Sequence, residues 1–251
     1  MIRRIIYLSI MLLITHVSVW SKSFCSDVNI DARLGYSVGG TAPVGMPATI
    51  RKLNSYTLQP NFLIGADFTK PLDNHWGLLL GLQFENKGME TDAKVKNYHM
   101  QITRGGETLE GVFTGNVNTH VRQWMFTIPL QASYKICEIW GLRFGPYISY
   151  VVNHCFDGSA YDGYLRVGDP TGAKVELGSG DSERGTYDFS EHMRRVQYGL
   201  DLGVDWHSCH RFGAFADLSW GLNGIHHSNF KTIEQTLYPI YGTIGITYKF
   251  K

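Results

Sequence analysis

From Val28 to the carboxyl end, apolar and polar residues alternate in eight separate runs, each with the two-residue period of a half-buried β-strand. The last run shows the pattern most clearly. In Tyr238 to Phe250, Ile240, Ile244, Ile246, Tyr248 and Phe250 share one face, and Tyr241, Thr243, Gly245, Thr247 and Lys249 the other. It has no later partner, so it is expected to pair with the first run and close a barrel. That first run, Val28 to Val38, sets Val28, Ile30, Ala32, Leu34, Tyr36 and Val38 against Asn29, Asp31, Arg33, Gly35 and Ser37. The others cover Tyr56 to Phe68, His75 to about Lys87, Val121 to Lys135, Trp140 to Val152, Val196 to Trp206 and Phe212 to Leu222.

Links after the second, fourth and sixth runs are short, around Lys70 to Asn74, Ile136 to Ile139 and His207 to His210. Links after the odd runs are long, and the longest extends from Asn153 to about Met193. An even strand number with turns on one rim and loops on the other predicts an all-β fold: an eight-stranded antiparallel up-and-down transmembrane β-barrel with periplasmic turns.

Alternation alone does not say which face points inward, because a soluble lipocalin-like barrel alternates too. Three features favour apolar outward. The polar face is rich in Gly, Ser, Gln and Asp and poor in Lys, unlike a solvated surface. Aromatics gather near strand ends, where Trp76, Trp140, Trp206, Trp220, Tyr134 and Phe250 would form interfacial girdles. The strands are long and the link lengths asymmetric. The lumen is then expected to hold a polar network of Asp31, Arg33, Asp67, Glu85, Arg143, Asp201, Asp205, Asp217 and Lys249, paired or watered because isolated buried charge is costly. At eight strands side chains fill the interior, which argues against an open diffusion pore.

The first 23 residues are set apart as a secretory signal peptide, leaving 24–251 as the barrel domain. Arg3 and Arg4 precede a mostly apolar stretch, Ile5 to Val19, too short to span a membrane comfortably, and Ser21 and Ser23 offer cleavage positions. Removing residues 1 to 22 leaves 20 basic and 22 acidic residues, a net charge of −2, and nothing that points to nucleic acid. Export permits disulfides, but cysteines at 25, 137, 155 and 209 give no framework or zinc spacing. Cys137 and Cys209 fall on turns two strands apart, roughly 10 Å, beyond easy bridging. Cys155 falls on the opposite rim and is expected to be free.

Particular stretches carry a resemblance. Gly39 to Tyr56, reading GGTAPVGMPATIRKLNSY, together with Glu85 to Met89, Gly145-Pro146-Tyr147, Tyr161 to Arg166, Gly168 to Gly172, Tyr187-Asp188-Phe189 and Trp220 to Asn223, resembles the Bacteroidetes outer-membrane β-barrel family called PorT-like, or outer membrane protein beta-barrel domain. Gly45 and Met46 depart from the family's more proline-rich loop. The resemblance implies an outer-membrane barrel without a defined activity. The family's namesake is linked to secretion and maturation through the type IX system.

Candidate chemistry is sparse. His207, Cys209 and His210 crowd one turn, but three adjacent residues rarely aim at one point, so no metal site is read there. His226, His227 and Ser228 invite a lipid-modifying enzyme, yet no serine elbow is present. Tyr161 and Tyr164, on what read as ordered turns of the longest link, are candidate loop contacts. No catalytic residue, cofactor or metal is assigned. The expected role is a non-enzymatic protein of the bacterial outer membrane that anchors extracellular loops for interaction, with a narrow porin or a lipid-modifying enzyme as alternatives. Its expected partners are outer-membrane lipid, the barrel-assembly machinery, with Phe250 as the assembly signal, and an envelope or extracellular protein.

Overall fold

The computed structural model describes residues 28–250 except 44, 46, 58, 209, 231, 234 and 235. The expected signal peptide, Cys25 and Cys209 lie outside the described residues. Eleven antiparallel strands form one sheet: β1 (Asn29–Pro43), β2 (Ile50–Thr57), β3 (Asn61–Pro71), β4 (Trp76–Arg104), β5 (Glu107–Lys135), β6 (Trp140–Val167), β7 (Lys174–Leu177), β8 (Gly185–Asp188), β9 (Val196–His207), β10 (Phe212–Gly221) and β11 (Leu237–Lys249). A 3-10 turn, Ser190–His192, follows β8.

Eight of these close a ring in the order β1, β3, β4, β5, β6, β9, β10, β11 and back to β1. The ring is not evenly round. Its seam is the ladder from Asp31↔Lys249 to Pro43↔Leu237, joining the first and last strands. Within the ring the outward residues are apolar and exposed: Leu34, Ile64, Leu82, Phe144, Leu202 and Ile244 are each at least half exposed, with Ile244 at 65%. Arg33, Gln83, Gln131, Arg143 and Ser149 face inward and are buried.

The expectation of eight strands joined by loops is corrected in one respect. Three of the four long links are largely built of strand. β4 and β5 each run 29 residues and β6 runs 28, where crossing a bilayer takes about 9–11. Arg104-Gly105-Gly106-Glu107 turns β4 into β5, with both glycines at positive φ (59° and 86°), the backbone of a tight primed hairpin turn. An irregularity in the β4–β5 ladder between Val95 and Tyr98 places Asn97 at φ 53°, a conformation asparagine tolerates better than most residues.

Past the ring, the inward face of the same strands turns apolar. Val95, Met100, Ile102, Phe113, Val117, Val121, Phe156 and Leu165 pack with Leu177, Tyr187 and Phe189 and with Ile225 and Ile233 of the last long link. Phe113, Val121 and Leu165 are fully buried, each contributing about 1.5–3 kcal/mol relative to exposure. β7 and β8 widen this extension by pairing with β6, and β2 adds to β4.

At the seam, Gly35 and Gly245 are cross-strand partners and the Phe215 ring lies against both. A Cβ on Gly245 would meet the Leu34 carbonyl and come within 2.7 Å of the Gly35 Cα, and neither backbone can yield without opening the ladder. A Cβ on Gly242, in the same strand, meets nothing nearer than 3.8 Å. Gly245→Ala is therefore expected to cost about 1–3 kcal/mol. Gly242→Ala should leave the urea midpoint of the refolded barrel unchanged or slightly raised, read by the shift between folded and heat-unfolded gel bands.

Candidate functional site

The ring encloses a charged cluster drawn from five strands. Arg33 of β1 reaches Asp67 of β3 (3.0 Å), Asp205 of β9 (3.2 Å) and Asp217 of β10 (3.4 Å). Arg143 of β6 binds the same Asp205 (2.6 Å) and Asp217, and donates to Gln131 of β5 (2.9 Å). The Arg33 guanidinium also stacks 3.8 Å above the Phe215 ring. Both arginines are almost fully buried, so the shared carboxylates and the ring face replace the water they have lost.

The other residues expected in the lumen divide by depth. Glu85 pairs with Lys87 at 3.0 Å and accepts from Thr127, while Asp201 accepts from Gln131 at 3.3 Å. Asp31 and Lys249 are cross-strand partners but line a vestibule of about 460 Å³ at the turn rim, which also reaches Arg33, Asp67, Arg143 and Asp205. Above the cluster the next gap, bounded by Leu63, Glu85, Tyr147 and Asp217, measures about 10 Å³, room for about one water. Lys87 was missed as a lumen residue. It lies on the face of Gln83 and Glu85, and extending the alternation by one step would have found it; its ammonium sits 5.4 Å from the Tyr241 ring and 5.6 Å from that of Tyr147.

The aromatic residues fall into two bands. Trp76 with Tyr134 (4.8 Å), the cross-strand pair Trp140 and Trp206, and Phe212, Tyr248 and Phe250 stand at the turn rim. Trp220 stands at the other end of the ring, opposite Leu200 and Ile240, with Phe62 and Trp124 in contact further round.

Tyr161 and Tyr164 are not on turns: β6 continues through both, and each is half-buried. Tyr161 donates to Asp92 across β5, and that bond pushes its hydroxyl up to about 12, while Arg184 lies 4.9 Å from its ring. Tyr164 lies 4.9 Å from the Lys174 ammonium.

Of the histidines in the last long link, His226 is half-buried against the second core. It meets the Phe156 ring edge-on at 4.7 Å, and burial lowers its pKa to about 4, so it stays neutral. On the outer face of the extension, the Cys155 thiol (2.7 Å) and His120 Nδ1 (3.3 Å) converge on Asp157 Oδ1. These three donor atoms lie within 4.8 Å of one another, a spacing that can hold a metal ion. Burial, reinforced by Asp157, pushes the free Cys155 thiol up to about 11, so it rests as a hydrogen-bond donor. Cys137, also free, is exposed on its turn. His207 and His210 line the vestibule.

No curated protein sequence matches the chain. Among solved structures, Ail, the attachment invasion locus protein of Yersinia pestis, in complex with the heparin analogue sucrose octasulfate, is 10% identical with a TM-score of 0.37, over 89% of this chain and 97% of Ail. The Ralstonia pickettii toluene transporter TbuX is 8% identical with a TM-score of 0.24, over 89% of this chain and 90% of TbuX. The model of the outer membrane protein beta-barrel domain matches residues 20–227. The exposed apolar band of the ring is the surface that such a protein turns to lipid. With most of its length matched, the chain belongs to the outer membrane protein beta-barrel domain family and resides in the bacterial outer membrane.

Proposed function

We propose that this is a non-enzymatic outer-membrane protein whose barrel anchors a folded β-sheet extension on the cell surface for interaction with an envelope or extracellular protein. The observation that carries this reading is the second core: β4, β5 and β6 continue far past the ring and enclose apolar residues of their own. A barrel that served only as an anchor would need no such structure. The leader over 1–23 delivers the chain, outer-membrane lipid surrounds it, and the barrel-assembly machinery inserts it with Phe250 as its signal. The PorT-like resemblance extends the role to envelope integrity or type IX-type secretion.

The Arg33–Arg143 cluster spans the lumen between the vestibule and the small gap above it, which weighs against the channel reading. In planar bilayers the purified protein should give no discrete conductance steps; regular openings would replace this reading with a narrow porin. Arg143→Met leaves Asp67, Asp205 and Asp217 sharing the single charge of Arg33 and should cost about 3 kcal/mol of stability, with part of that loss returned when Asp217→Asn is added.

Photo-cross-linkers placed at the exposed Glu107 and Glu176 of the extension should capture a protein partner in native outer membrane, whereas one at the lipid-facing Leu218 should not. Equal capture at all three positions, or none, would remove the interaction role. For assembly, Phe250→Asp should lower the folded fraction in the membrane far more than Lys249→Gln.

A further inference from the structure

The wall of the molecule has a split. The β1–β3 ladder ends at Ser37↔Asn61, while the β1–β11 ladder continues to Pro43↔Leu237. β2 runs on beside β4, from Thr57↔Glu90 to Ile50↔Val95, and is not a ladder neighbour of β1. Gly39 to Pro43 therefore present an edge with no strand partner among the described residues. Side chains bridge the gap instead: Tyr56 donates to the Gly39 carbonyl, and the Thr41 amide donates to the Met89 sulfur at 3.2 Å.

Behind the split lies a cavity of about 600 Å³, within the range of about 300–1,000 Å³ that holds small-molecule ligands. Met89, Val117 and Phe156 form its floor. Its mouth is formed by Val38, Leu53 and Tyr56, which are 41%, 49% and 38% exposed although they line the cavity, so it opens sideways. Val38 also continues the outward row of Leu34 and Tyr36, so the mouth is continuous with the lipid-facing band. An apolar space of this size offers water few partners and suits an acyl chain.

A second observation concerns charge. Leu53 and Ala93 are ladder partners in the cavity wall, and beside them Lys52 faces Lys94. Like charges directly opposite each other are destabilising without an anion between them. Arg51 and Lys96, also exposed, flank the pair. The nearby Asp92 is already engaged by Asn54 (2.7 Å) and Tyr161.

We infer that this split is a binding slot for an acidic lipid of the outer leaflet, with an acyl chain in the cavity and an anionic headgroup on Lys52 and Lys94. The slot rests on the extended rim facing outward. The split lies just beyond the aromatic band of Tyr36 and Phe62, where an unpaired strand edge no longer meets hydrocarbon. The Lys52–Lys94 step then sits on the water side of the mouth, where a phosphate or carboxylate headgroup would be.

Native mass spectrometry of the full chain, extracted from its own outer membrane in mild detergent, tests the slot. The wild type should retain an acylated, phosphorylated or carboxylated lipid. Ala93→Phe, which fills the cavity wall, and Leu53→Gln, which makes the mouth polar, should each lower retention about tenfold; Lys52→Gln with Lys94→Gln should do the same. Leu218→Gln, on the lipid face elsewhere, should not. Each variant is first checked for the folded gel mobility. Retention of detergent only, of an uncharged lipid, or of equal lipid by Ala93→Phe and Leu53→Gln would overturn the slot. Labelling of Glu107→Cys by an impermeant maleimide on intact cells keeps the two readings apart: no labelling defeats the outward orientation, and labelling without lipid retention defeats the slot alone.

Discussion

Where hydrocarbon surrounds a backbone, every N–H and C=O must find a partner inside the protein, and this one requirement shapes the chain from Asn29 to Lys249. Eight strands satisfy it by closing on themselves, so that outward side chains can be apolar and inward ones polar. Once the strands leave the lipid, water lies outside and the polarity reverses. β5 shows the change on a single face: Gln131, Thr127 and Gln123 point into the ring, and Val121, Val117 and Phe113 continue that same row into the second core. One strand thus serves two solvents, and the boundary falls between Val121 and Gln123. Unpaired edges are affordable only beyond that boundary, where β2 and β7 lie.

The lumen cluster follows from the same closure. Glycine and other small inward residues let the strands approach one another, and the remaining space is spanned by two arginines rather than by apolar packing. Because Arg33, Asp67, Arg143, Asp205 and Asp217 come from five different strands, their bonds tie opposite walls together. Burying those charges brings little net stability, since desolvation offsets most of the attraction. What it supplies is register: a strand displaced by one residue would turn its charge into lipid.

The ring strands and their inward face were legible in the alternation, because a period of two is all that a half-buried strand requires. The extension was not, and for a physical reason. Reading the apolar face as outward holds for one solvent only, so Phe113 and Val117, which continue the polar row of Gln123 and Thr127, did not fit the pattern and the segment before Val121 read as a loop. Local signals were present: the Gly105-Gly106 turn and the period-two spacing on either side of it marked a hairpin. The same oversight put Tyr161 and Tyr164 on turns when β6 carries both. Alternation also gives side but not depth, so Asp31 and Lys249 were grouped with residues that lie deeper in the lumen.

The seam between β1 and β11 joins residues from opposite ends of the chain, and this sets the order in which the molecule can be made. Hairpins such as β4–β5 and β9–β10 can form as soon as their own residues are available, because their contacts are local. The ring cannot close until the last strand has been delivered, and the loop it closes contains every other strand of the sheet. Until then two open edges, Asn29 to Pro43 and Leu237 to Lys249, remain adhesive to any other strand. Closure of the β1–β11 ladder is therefore the step that requires all eight ring strands to be present and in register.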